Sequence, residues 1–236
     1  RGKVHFNHCS IYNCWKLVKS DGHFDDDTND VEISKSFIRF DDEFDKVDEY
    51  VVLYIGVWLL HNTLLNGQSI SLVDSKVEGF ITPNGDFLDL GKDAVIFSGI
   101  KTCSKCTFNN FRYIFYLDSN LNITESSFHS CKRVFISTRN TVVTNCTFFN
   151  CSYIFENLHR SNTIENCKFI DCENQILYVS AYFGCTTSFD ACEFRNITQS
   201  VPSKSLFYMS PDKSGSGLII KNCVFDNITL AEHGTI

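Results

Sequence analysis

The chain has 236 residues, 43% of them hydrophobic and 21% charged, with a formal net charge of −7. This balance excludes a disordered or collagen-like polypeptide, and the acidic sign argues against a nucleic-acid partner, because phosphate contacts need a basic face. The longest apolar run, Tyr50 to Leu60, is about half the ~20 residues that a membrane-spanning helix needs, so no intact span is expected.

The chain opens on Arg1 and holds a single methionine, Met209, which reads as a fragment or processed product of a larger protein. Residues 1–20 are expected to form an irregular first rung. Residues 21–49 carry twelve acidic and three basic side chains, net −9, so the acidity of the chain is local. Carboxylates at this density have the chemistry of calcium ligands, and Asp25, Asp27 and Asp30 are the residues to test. The EF-hand spacing is missing, and a solvated acidic excursion is the simpler reading, so no metal or other cofactor is expected. From residue 50 onward the chain reads as strands, giving a β-helix over 50–236 that is most regular over 85–230.

That regularity is carried by phenylalanines two residues after a small one: Phe87, Phe108, Phe128, Phe148, Phe169, Phe194 and Phe225, at spacings of 21, 20, 20, 21, 25 and 31. The string from Val4 to Cys9, centred on Phe6, has the same form. A period near 20 with later insertions is the signature of a solenoid. Two residues before the Phe runs a small column of Cys106, Ser126, Cys146, Cys167, Cys192 and Cys223; five before it runs an apolar one of Cys103, Ile123, Val143, Ile164, Phe189 and Ile220. Three after it stand Phe111, Cys131, Cys151, Cys172, Ile197 and Ile228. The Cys and Phe columns alternate as a strand does, and the alternation breaks on either side, so a bend sits at each break. Asn and Asp cluster at those breaks (Asn145, Asn166 and Asn222 before the Phe, Asn150, Asp171 and Asn196 after it), residues that tolerate positive φ. A further apolar strand follows each unit, as in YIFYL, RVFIS, YIFEN, QILYV and SLFYM. Short strands, Asn corners and rungs of about 20 residues predict an all-β, right-handed parallel β-helix, with corner amides bonded along the axis.

Twelve cysteines and five Asn-x-Ser/Thr sequons, at Asn122, Asn145, Asn150, Asn196 and Asn227, together favour an extracellular or cell-surface location. In-register cysteines point the same way, which suits disulfide geometry badly, so most are expected to be buried thiols. The better disulfide candidates are Cys9 with Cys14 and Cys103 with Cys106; zinc at Cys103 and Cys106 would lack a second matching pair.

An enzyme reading needs carboxylates on one outward face. Four residues before the Phe, the outward column Ser104, Thr124, Thr144, Glu165, Asp190 and Lys221 places Glu165 beside Asp190, with Arg195 or Lys221 near them. These two are weak candidates for acid and base on a chain with 28 carboxylates. His129, His159 and His233 read as surface or loop residues.

The unit Cys-x-Phe-x-Asn/Asp-Cys/Ile resembles the Phe-centred repeats of polymorphic membrane protein-like right-handed β-helices, over about residues 85–230. The resemblance implies a surface or secreted protein linked to adhesion; it transfers no functional residue. The expectation is a non-catalytic β-helix for adhesion or ligand display, meeting a host or cell-surface glycan or protein through outward residues such as Tyr113, Arg139, Tyr153 and Tyr182. The alternatives are a lyase or hydrolase of acidic polysaccharide and a structural spacer without ligand.

Overall fold

In a computed structural model of the chain, the described residues are 3–12, 30–39, 69–79, 100–111, 114–116, 120–136, 138–179, 185–209 and 216–236. They form a parallel β-helix, with strands in three parallel sheets and no helix among them. Sheet 1 stacks β1 (Lys3–Asn7), β3 (Asp30–Ser34), β5 (Ser69–Val73), β7 (Ile100–Ser104), β10 (Asn122–Thr124), β13 (Val142–Thr144), β16 (Arg160–Glu165), β19 (Cys185–Asp190) and β22 (Gly217–Lys221). Sheet 2 stacks β2 (Ser10–Tyr12), β4 (Phe37–Arg39), β6 (Lys76–Glu78), β8 (Thr107–Asn109), β11 (Ser127–His129), β14 (Thr147–Phe149), β17 (Lys168–Ile170), β20 (Glu193–Gln199) and β23 (Val224–Leu230). Sheet 3 stacks β9 (Phe115–Tyr116), β12 (Phe135–Ile136), β15 (Phe155–Glu156), β18 (Leu177–Val179) and β21 (Phe207–Met209), the five apolar strands expected after each unit.

Register turns the sequence columns into physical ladders. Phe108, Phe128, Phe148, Phe169, Phe194 and Phe225 are direct neighbours in sheet 2. Their rings stack face to face, for example Phe128 on Phe148 at 4.8 Å and Phe169 on Phe194 at 4.7 Å. A second stack in sheet 3, Phe115, Phe135 and Phe155, meets the first edge-on, as in Phe148 against Phe155 at 5.9 Å. Offset-stacked and edge-on pairs each add about 0.5–1.5 kcal/mol beyond burial, so one continuous aromatic core holds the coils together.

The corners explain the rest of the repeat. The residue three before the Phe column has φ between 48° and 56° in every coil, from His8, Lys35 and Asp74 through Asn145 and Asn166 to Asn222. The second corner uses Asn110, Ser130, Asn150, Asp171, Asn196 and Asn227, again at positive φ. The amide ladder is present: Asn227 Nδ2 donates to Asn196 Oδ1 and Asn196 Nδ2 to Asp171 Oδ1, both at 2.9 Å.

The small column has its own hydrogen-bond logic, which accounts for most of the cysteines. At each corner a hydroxyl or thiol donates to the carbonyl two residues back, as Ser36 Oγ to Ser34 O at 2.8 Å and Cys167 Sγ to Glu165 O at 3.2 Å. It also accepts the backbone N–H of the same column one coil earlier, as Cys9 N to Ser36 Oγ and Cys106 N to Ser126 Oγ, both at 3.1 Å, and Cys146 N to Cys167 Sγ. Cys131, Cys151 and Cys172 repeat the device at the second corner. Serine and cysteine interchange because either one satisfies a corner amide that would otherwise be buried without a partner.

Two readings of the N-terminal third need correction. The Phe column is occupied there by Ile11, Ile38 and Val77, the last paired directly with Phe108. Phe6 therefore belongs to sheet 1, opposite Ile33, and the Phe87 slot is taken by Val77. Within 21–49, Asp30–Ser34 and Phe37–Arg39 are in-register strands of the stack, so the acidic segment is interrupted by a coil. Asp25, Asp27, Cys14, Phe87, Tyr113 and Tyr182 lie outside the described residues; Asp30 starts β3, opposite Lys3 and Ser69.

Candidate functional site

Glu165 and Asp190 are adjacent in sheet 1, as the column predicts, and Lys221 follows them. Lys221 Nζ lies 2.9 Å from Asp190 Oδ2 and Asn222 Nδ2 donates to Asp190 Oδ1 at 2.9 Å. The Lys221 hydrogen bond, with that of Asn222, holds the Asp190 carboxyl below the usual carboxylate range. An aspartate kept ionised on an open flank is poorly suited to general-acid work. Arg195 is not part of this cluster: it sits in sheet 2, ion-paired with Glu193 and with Asp226 at 3.4 Å.

Cys103 and Cys106 are buried free thiols, and Cys9 is a half-buried one. Burial raises the Cys103, Cys151 and Cys172 thiols well above their ordinary range, which makes them inert rather than reactive. Among the described residues, no group of three His, Cys, Asp or Glu side chains is placed to hold a metal. Of the sequon residues, Asn122 and Asn145 are exposed, with side-chain amides that make no hydrogen bond among the described residues. Asn150 spends its Nδ2 on Ser130 Oγ at 3.1 Å, and Asn196 and Asn227 spend theirs in the corner ladder.

A concave feature of the described surface lies elsewhere, at the corner between sheets 2 and 3. In earlier coils that corner is short, running from Cys131 to Val134 and from Cys151 to Ile154. In the eighth coil it takes the longer path from Ile197 to Leu206, and the extra chain stands out as a wall. The wall is tied down on its far side: Ser203 N donates to Glu232 O at 3.0 Å, Leu206 N to Thr235 O at 2.8 Å, and the Ser205 and Thr235 hydroxyls meet at 2.7 Å. Beneath it is a groove of about 330 Å³ spanning four coils.

The groove is lined by two residues with a buried polar atom that makes no hydrogen bond. Gln199 is 1% exposed, and its Oε1 accepts Val201 N at 2.6 Å while its Nε2 has no partner. Glu156 Oε2 is buried and receives no hydrogen bond; it faces Arg133 Nε as an ion pair at 3.4 Å. Gln175 braces the floor through Nε2 to Ser205 O at 3.3 Å. One wall is Tyr178, stacked on Tyr208 at 5.3 Å and 15°, and another is Tyr153, over which Lys132 Nζ sits at 5.6 Å. Of the outward residues expected to make contacts, Tyr153 lines the groove and Arg139 does not. The signal that marked this corner was the spacing of 31 between Phe194 and Phe225, the longest between successive phenylalanines of the column.

The fold and this groove define a parallel β-helix with a built concave site on one corner. No protein-family model matches the chain. None of the curated proteins matches it either.

Proposed function

We propose that this β-helix is a non-catalytic module for adhesion or ligand display outside the cell or on its surface. The groove between sheets 2 and 3 is its contact site for a glycan or protein. The supporting observation is a concave surface lined by Gln199, whose buried Nε2 lacks a hydrogen-bond partner, and by the Glu156–Arg133 pair. Folded proteins leave few such groups unpaired, and a ligand that pairs them recovers their desolvation cost. Non-catalytic action is supported by Asp190, whose carboxylate is already committed to Lys221 and Asn222. The exposed, unbonded amides of Asn122 and Asn145 support the extracellular part of the reading, because a glycan attaches through that nitrogen. The likeness of the repeat unit to polymorphic membrane protein-like surface proteins points the same way.

The test is retention of the purified chain on an immobilised panel of glycans and cell-surface proteins, with an assay for new chain ends on the polysaccharides. Retention on a member of the panel, without cleavage, is expected. Retention on nothing, or cleavage, overturns the reading.

A further inference from the structure

We infer that the groove takes a carboxylate-bearing sugar, a hexuronate unit of an acidic glycan; the inference rests on the binding reading above. In one groove, Gln199 offers a buried donor without a partner, and Glu156 a buried carboxylate oxygen that makes no hydrogen bond and faces Arg133 Nε at 3.4 Å. A hydroxyl is the ligand group that both donates and accepts, so neighbouring hydroxyls on one ring meet both demands. The Tyr178 face, held by its stack on Tyr208, gives a flat apolar wall for the C–H face of a pyranose ring. At about 330 Å³ the groove lies at the lower end of the ~300–1,000 Å³ typical of small-ligand sites, a size for one or two sugar units rather than a protein element.

Charge decides between a neutral and an acidic sugar. Within the groove the Glu156 carboxylate is set against Arg133, while Lys204 on the looped wall makes no ion pair among the described residues. The groove therefore carries one cation more than it balances internally, beside the positions where hydroxyls are bound. A ring carboxylate answers that ammonium by a charge-assisted hydrogen bond.

The experiment is calorimetric titration of the full chain with digalacturonate and with its dimethyl ester, which keeps the hydroxyls and removes the charge. Digalacturonate is expected to bind, with the ester roughly tenfold weaker. Lys204→Met is expected to erase that difference with an unchanged thermal midpoint, and Gln199→Leu, which also removes the acceptor of Val201 N, to abolish binding of both while the chain still melts cooperatively. A folded chain that ignores digalacturonate, or binds acid and ester alike, overturns the inference. In that case Gln199-dependent retention of a neutral glycan or a protein on the panel keeps the binding reading, and its absence removes that as well.

Discussion

Two outer surfaces lie on the same coils and differ in one respect. Along sheet 1, Asp190 is paired with Lys221 and bonded by Asn222, so one of the two neighbouring carboxylates that suggested chemistry is already committed on the surface. At the corner between sheets 2 and 3, Gln199 Nε2 is buried with no hydrogen-bond partner, and Glu156 Oε2 is buried with only the Arg133 ion pair at 3.4 Å. Adjacent carboxylates on a solenoid flank arise simply because register stacks them. An unpaired buried amide does not arise that way, since the fold bears its cost with no internal return.

The largest effect is expected where both surfaces share support. Phe148 is fully buried and stacked at 4.8 Å on Phe128 and at 4.9 Å on Phe169. Phe148→Ala should lower stability by about 3–5 kcal/mol in denaturant unfolding; a much smaller loss would break the continuous-core account. Cys167 comes next, because it accepts the Cys146 amide and donates to Glu165 O. Cys167→Ala should cost about 1–3 kcal/mol by orphaning that amide, while Cys167→Ser should cost under about 1 kcal/mol. Equal losses for the two variants would show that the thiol is only a filler.

The two surfaces separate in the next pair. Gln199→Leu removes a buried donor without a partner but also the acceptor of Val201 N, so it should cost about 1–3 kcal/mol, while ligand retention disappears. Asp190→Asn removes one exposed ion pair and should leave both properties unchanged, as surface pairs contribute little. The smallest effect is on pH dependence. Burial, joined at His159 by Arg139, lowers the folded-state titration of His129 and His159 below the ordinary 6.5. The unfolded chain then protonates first on acidification. Stability should be complete above about pH 6.5 and decline as pH falls through the lowered folded values. A double His129→Asn, His159→Asn variant should flatten that slope in thermal melts at pH 7.5 and pH 5, roughly a degree or two apart.

The regular coils were legible because each column of their sequence does one physical job. Phenylalanine fills the core, Asn holds positive φ at Asn145 and Asn166, and Cys or Ser caps a corner amide. The N-terminal coils keep the corner and the small column, as Lys35, Ser36, Asp74 and Ser75, but use Ile38 and Val77 in the core. A search keyed on phenylalanine therefore slid to Phe6 and Phe87, whereas one keyed on the small column would have found the right register. The groove was not legible, because Arg133, Glu156, Gln175 and Gln199 come from four successive coils and meet only when stacked. Pairing of polar atoms leaves no trace in composition; the lengthened corner from Ile197 to Leu206 was the one clue.

The most direct test sets the two surfaces against each other in one assay. Parent, Gln199→Leu, Glu165→Gln and Asp190→Asn chains are passed over the same immobilised acidic glycan, and the eluates are assayed for new chain ends. The account predicts that Gln199→Leu alone loses retention and that no chain ends appear. New chain ends that vanish in Glu165→Gln or Asp190→Asn, with retention indifferent to Gln199→Leu, would contradict it and move the function to sheet 1.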